Sequence, residues 1–271
     1  MNTTSQPPKV RVSGVNHAFE GVDGEPLVVL RDISFDVARG EFIAIVGGSG
    51  SGKTTLLRIV DHLIAPTSGS VLVDGEAVRS PGGKISFVFQ TDSLLPWRTV
   101  IDNVAYGLDL RGVPKAEGRE RARKYLELVG LGSFASYYPH QLSGGMRQRV
   151  NLARALAVEP DVLLMDEPFA ALDAQTRELM QLELMRIWRE TRKTILFVTH
   201  QLDEAVFLAD RVIALSARPG SIREIVAIDI ARPRDIAVKR GAAFQAHVGR
   251  LWDLIESDAR RGFQDDLAGK A

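Results

Sequence analysis

The densest chemistry in this sequence is the stretch Gly47-Gly48-Ser49-Gly50-Ser51-Gly52-Lys53-Thr54-Thr55. It follows Phe42-Ile43-Ala44-Ile45-Val46, an apolar run short enough for a buried strand. It precedes Leu56, Leu57, Ile59, Val60 and Leu63, which recur at helical spacing. Strand, glycine loop and helix in that order fit the pattern G-x-x-x-x-G-K-S/T. Backbone N–H groups can wrap a polyphosphate only where the chain comes close and takes positive φ, which glycine allows. The helix starting near Lys53 adds its N-terminal dipole. Lys53 supplies a point charge for the β- and γ-phosphates, and Thr54 places a hydroxyl on Mg²⁺. A flexible Gly/Ser linker would not be wedged between a buried strand and an amphipathic helix, nor end in Lys-Thr.

Other residues can complete such a site. Val162-Leu163-Leu164-Met165 reads as a buried strand ending in Asp166-Glu167-Pro168. Two carboxylates at a strand end, in a chain with a phosphate loop, point to nucleotide hydrolysis. Asp166 would hold Mg²⁺ through water, and Glu167 would be the general base for the attacking water. Leu142-Ser143-Gly144-Gly145-Met146 opens a helix that continues through Val150, Leu152, Leu156 and Ala157, with Ser143 as its N-cap. Two glycines at a helix start are poor for stability. They make sense where another backbone or a phosphate approaches closely. His200 follows the strand Thr194 to Thr199, at the edge where open parallel sheets bind ligands, and could hydrogen-bond a γ-phosphate. Phe19, in a strand upstream of the loop, either stacks on an adenine ring or fills the core of a small sheet.

The elements that position these residues follow from periodicity. Val10 to Phe19 and Val28 to Val37 alternate as strands around a turn-rich Gly21 to Pro26. Ser70 to Val73 is a short strand before an Asp74-Gly75 hairpin signal. Ile85 to Phe89 is a buried strand ending at Gln90. Leu94-Leu95-Pro96-Trp97 is an apolar loop, either core of a helical subdomain or a patch for a partner. Val100 to Leu110, Lys115 to Gly130 and Gln175 to Arg192 read as helices. The basic run Arg119, Arg121, Arg123 and Lys124 reads as a solvated helix face. Strands near Arg211 to Leu215 and Ile222 to Ile228 follow. Ile236 to Glu256 reads as a helix with Phe244, Val248, Leu251 and Ile255 on one face, and the tail after Arg260 as frayed.

Composition bounds the rest. The 271 residues are 45% hydrophobic, with 34 basic and 34 acidic residues, which gives no hint of nucleic-acid binding. There is no cysteine, which excludes disulfides and thiolate chemistry. His17, His62, His140, His200 and His247 show no metal-ligand spacing. No apolar run is long enough to span a bilayer, and residues 1–9 read as a disordered lead-in without a signal peptide. The expectation is a cytoplasmic protein whose membrane role comes through a partner.

The whole set resembles the ATP-binding subunit of an ABC transporter, over residues 10–230. Gly47 to Thr54 resembles the Walker A loop, Gln90 the Q-loop, and Leu142 to Met146 the LSGG signature. Val162 to Asp166 resembles Walker B with Glu167 following, Ala171-Leu172-Asp173 the D-loop, His200 the switch histidine, and Phe19 the A-loop aromatic. Met146 stands where the commonest signature has Gln, and Asp61-His62 where the family often has Ala-Gly. A glycine there would be an easy left-handed C-cap. Leu94 to Trp97, Leu215-Ser216-Ala217-Arg218-Pro219-Gly220 and Arg232-Pro233-Arg234-Asp235 are similar to the nitrate/sulfonate/taurine branch of importers.

This resemblance implies an α/β fold: a P-loop NTPase core with a mostly parallel sheet, an antiparallel β subdomain and an inserted α-helical subdomain over about residues 92–158. Residues 231–271 would be a C-terminal helical extension. It implies ATP and Mg²⁺ as cofactors, with Thr54, Gln90 and Asp166 toward the metal. Glu167, His200 and Gln90 would be catalytic. Phe19, Gly47 to Thr55, Ser143, Gly144, Gly145 and Asp173 would hold nucleotide. Two copies would pair head to tail around two ATP molecules and work with transmembrane permease subunits. An extracytoplasmic solute-binding protein would act indirectly, and no nucleic acid is expected. The cassette would sit peripherally on the cytoplasmic side of the inner membrane. The alternative is a soluble ABC-type switch on nucleic acid or ribosomes. Such proteins tend to carry two cassettes or long coiled coils, whereas this chain has one cassette and no sustained heptads.

Overall fold

A computed structural model describes residues 7–21, 24–91 and 93–268, with side chains through residue 256. The expected lead-in over 1–9 falls largely outside the described residues. The chain forms two units: residues 1–81 with 194–271, and residues 82–193. The fold is α/β, a P-loop NTPase core that carries an antiparallel β-sheet and an inserted helical segment.

The first unit contains two sheets. Strand β1 (Val10–Glu20) pairs antiparallel with β2 (Pro26–Val37) and with β4 (Ser68–Val73), which continues to β5 (Glu76–Ala77). The β4–β5 turn has positive φ at both Asp74 (53°) and Gly75 (77°), the combination a type I′ hairpin needs. In the other sheet, β3 (Phe42–Val46) lies between β8 (Thr194–Val198) and β9 (Arg211–Leu215) and runs parallel to both. All five residues of β3 and of β8 are buried, as expected of parallel strands covered on both faces. Antiparallel β10 (Ile222–Ala227) completes that side.

Helix α1 (Lys53–Val60) is shorter than the apolar spacing suggests. Leu63 is 44% exposed and lies beyond its end. The helix stops in a left-handed turn with His62 at φ 56°. Leu63 N–H donates to Arg58 O (2.8 Å), and His62 N–H to Ile59 O (3.0 Å). These are the two bonds of a Schellman cap, made here without glycine.

A helix not anticipated from periodicity, α6 (Leu202–Leu208), links β8 to β9. Its seven residues are too few for a clear 3.6-residue pattern. The C-terminal helix also differs from expectation. Residues Ile236–Arg240 form a 3-10 turn, and α7 runs from Ala242 to Ala268. Phe244, Leu251 and Ile255 are buried on one face of α7 as their spacing indicates.

In the second unit β6 (Ile85–Val88) runs parallel to β7 (Val162–Asp166). Helices α2 (Val100–Leu110), α3 (Lys115–Leu128) and α4 (Gly144–Ala157) pack on one another, and α5 (Ala174–Thr191) joins α4. Their core is built from Val100, Val104, Leu108, Leu126, Val150 and Leu156. The basic face of α3 is solvated and partly paired: Arg121 bonds Glu117 one turn earlier, and Arg119 bonds Asp102 at 2.8 Å.

Candidate nucleotide site

The phosphate loop belongs to the first unit. Buried β3 delivers Gly47, and the chain turns through Gly50 (φ 74°) and Gly52 (φ 82°) into α1. Gly52 is the N-cap. No side chain caps the helix and no acid occupies its first turn. The helix dipole favours an anion at that end. The donor set fits a polyphosphate. Lys53 Nζ is folded onto the loop, donating to Gly47 O (2.9 Å) and Gly48 O (3.0 Å). Ser51 is fully buried and Ser49 exposed, while Thr54 and Thr55 are half-buried at the helix start.

Phe19 is 41% exposed on β1. His17 packs edge-on against it, with ring centroids 4.5 Å apart. Both ring nitrogens of His17 are buried without a hydrogen-bond partner among the described residues.

His200 is exposed at the end of β8. The turn holding it is fixed by Thr199, whose hydroxyl bonds the buried Glu204 carboxylate (2.5 Å) and accepts from Gln201 N–H (3.0 Å). Helix α6, next in the chain, is clamped by Arg234. This arginine is only 6% exposed. It donates to the carbonyls of Val206 (2.8 Å), Phe207 (3.0 Å) and Ala209 (2.8 Å), and to those of Ile228 and Ile230. Burial pushes its guanidinium down to about 10. Arg232 adds bonds to Asp210 and Leu208 O. The Arg232-Pro233-Arg234-Asp235 stretch is thus a C-terminal staple on the α6–β9 connection.

The second unit carries the carboxylates. Asp166 is the last residue of β7 and only 6% exposed. Glu167 follows in the left-handed region (φ 45°), a conformation costly for a residue with a Cβ and a frequent mark of functional positions. Gln90, just past β6, is exposed. Sequence reasoning passed over Gln148. It is buried in α4 and donates to the carbonyls of Gln90 (3.4 Å) and Pro168. Asn151 donates to Gln148 Oε1 (3.3 Å), and Arg154 bonds both Asn151 (2.8 Å) and Ser93 O (2.8 Å). One helix therefore ties the strand end after Glu167 to the loop after Gln90. A glutamine at the core-facing position of an amphipathic helix was the available signal.

Ser143 caps α4, its hydroxyl accepting from Met146 N–H (3.3 Å). The two glycines after it have separate reasons. A Cβ on Gly145 would sit 2.7 Å from Thr176 Cγ2, so Gly145 is required by the approach of α5. Gly144 is exposed, and a Cβ there would meet nothing closer than 3.8 Å. Asp173 caps α5, accepting from Thr176 N–H (3.0 Å), and that backbone bond holds its carboxyl below the usual range.

The Leu94–Trp97 loop divides between the two readings. Leu94 is 9% exposed, Trp97 73%. Buried Asn103 pins the loop, accepting from Leu95 N–H (2.7 Å) and donating to the carbonyls of Leu95, Arg98 and Thr99.

The model of the family described as ABC transporter matches residues 30–170. An uncharacterized ABC transporter ATP-binding protein of Methanocaldococcus jannaschii is 53% identical over 84% of this chain and 85% of its own length. The nitrate import ATP-binding protein of Synechocystis is 48% identical, covering 91% and 94%. A taurine import ATP-binding protein of Pseudomonas aeruginosa is 49% identical, covering 77% and 80%. Among solved structures, a dimeric bacterial ABC transporter cassette superposes with a TM-score of 0.72 at 32% identity, over 82% of this chain and all of that one. A dimeric post-hydrolysis state of a cassette bound to ADP and Pi gives 0.71 at 33% identity, with the same coverage. The chain therefore belongs to the ABC transporter family. It is an ATP-binding cassette, a class of ATPase.

Proposed function

We propose that this cassette hydrolyses ATP to drive an importer of a small anion such as nitrate, a sulfonate or taurine. The observation that carries the reading is the similarity to nitrate and taurine import cassettes, at 48% and 49% identity over 91% and 77% of this chain. The loop geometry supports the nucleotide half. Lys53, the uncapped start of α1 and the backbone of Gly47 to Thr55 hold the phosphates, and Phe19 stacks on the base.

Among the described residues there is no cluster of three metal-ligating side chains. Mg²⁺ takes one or two protein ligands plus phosphate oxygens and water, and the oxygen donors Thr54, Gln90 and buried Asp166 are of the kind it takes. Thr54, Asp166 and Gln90 would hold it, and bound there it would neutralise phosphate charge. Glu167 takes the proton of the attacking water, and His200 orients the γ-phosphate. Ser143, Gly144, Gly145 and Asp173 serve the nucleotide of a second copy in a head-to-tail dimer, a pairing the dimeric structural relatives support.

No described helix is long and apolar enough to cross a membrane. The importer relatives make the membrane partner a permease, met on the cytoplasmic face through exposed Trp97, with a solute-binding protein acting beyond it. Tagged Glu167→Gln protein, purified from detergent-solubilised cells, tests the reading. It should retain ATP, lose at least about 100-fold in turnover, and bring down a multi-span membrane protein in a two-to-two or two-to-one ratio. Near wild-type turnover would remove Glu167 as the base. Recovery with ribosomes or nucleic acid and no membrane protein would overturn the importer reading.

A further inference from the structure

The segment Ser216 to Ser221, between β9 and β10, leans on the phosphate loop. Gly220 N–H donates to Val29 O (2.8 Å), and Arg31 N–H to Gly220 O (2.9 Å). A Cβ on Gly220 would lie 2.1 Å from Ser51 O, and one on Gly47 2.9 Å from Leu215 O, so the two backbones are in direct contact. The turn is internally fixed. Ser216 and Ser221 bond through their hydroxyls (2.9 Å), and Ser221 N–H donates to Ser216 Oγ (2.9 Å). This rigid turn presents Arg218 over Gly50. A Cβ on Gly50 would be 2.8 Å from Arg218 Nε, and 3.1 and 3.3 Å from its Nη2 and Cζ.

The guanidinium is exposed and has no hydrogen-bond or ion-pair partner among the described residues. It lies over Gly50 of the loop that also carries Lys53 and leads into the start of α1, which no side chain caps. The loop's carbonyls Gly47 O and Gly48 O already accept from Lys53, and no carboxylate among the described residues pairs with Arg218. We infer that Arg218 is a second cationic residue of the nucleotide site, adding positive potential at the phosphate loop and favouring ATP over ADP. The charge it complements is that of the triphosphate, which a single lysine offsets only in part. This inference rests on the phosphate-loop reading above.

Nucleotide titration of the full-length protein at several salt concentrations tests it, with Arg218→Gln, Arg218→Lys and Arg218→Glu beside Lys53→Ala. At low salt Arg218→Gln should weaken ATP about three- to tenfold, with a smaller effect on ADP. The deficit should shrink as salt rises, because an exposed charge is screened. Arg218→Lys should restore most of the affinity, and Arg218→Glu should lose more than Arg218→Gln. Wild-type ATP affinity in Arg218→Gln at low salt, with Lys53→Ala defective, overturns the inference and leaves the loop reading intact. A deficit independent of salt and shared by Arg218→Lys also overturns it, because that is the signature of a packing brace. Wild-type binding by Lys53→Ala would remove the loop reading and the inference together.

Discussion

The phosphate loop and the loop residues Gln90, Ser93 and Leu95 are both irregular and are built from different materials. The first is a backbone device. Its shape comes from glycines at φ 74° and 82°, from the strand before it and the helix after it, all adjacent in sequence. The second is held by distant side chains: Gln148 on the Gln90 carbonyl, Arg154 on the Ser93 carbonyl, Asn103 on Leu95. A local device can be read from its own residues. A loop held by a helix 58 residues away cannot, because its order depends on how that helix packs.

Substitutions can break this contrast. The largest effect belongs to Lys53→Ala, which should cost about 100-fold in ATP affinity, since the charge-assisted contact of a lysine inside the loop is lost. Isothermal titration should show it with little change in melting temperature. In the second region Asn103→Ala removes four bonds and strands buried groups. It should cost about 2 kcal/mol or more of stability by denaturant unfolding, while ATP affinity per folded molecule stays the same.

Gln148→Ala should leave ATP affinity within about twofold and lower kcat about tenfold, by loosening the strand end that carries Glu167. Equal losses in affinity and kcat would show that the two regions are not separable. His62→Gly should stabilise by about 1 kcal/mol, because glycine takes the left-handed cap position without a Cβ penalty. The smallest effect is a pH effect. Asp173 has a lowered carboxyl, so its capping contribution is complete above the ordinary aspartate range near 3.9 and disappears as pH falls through its folded value. Asp173→Ala should therefore melt below wild type at pH 7, and the gap should narrow as pH falls below the ordinary aspartate range and close once the folded carboxyl is protonated.

Much of the fold was legible because its signals are local. The buried strands β3, β7 and β8, the cap residue Ser143 and the Asp74-Gly75 turn all act within a few residues. Helix α6 was not, being too short to show a period. Leu63 was misread because apolar spacing does not record where a helix stops, which here is set by a left-handed His62.

The sequence by itself determined the parts of the nucleotide site whose geometry the backbone dictates, and the family to which they belong. The tertiary structure alone decided the rest. It divided Leu94 from Trp97 between core and surface, gave Gly145 its reason in Thr176, buried Arg234 as a staple on α6, and set Arg218 over Gly50. Each of these depends on two segments far apart in the chain meeting at van der Waals or hydrogen-bond distance. Such meetings follow from burial of the whole chain, and no local pattern of residues encodes them.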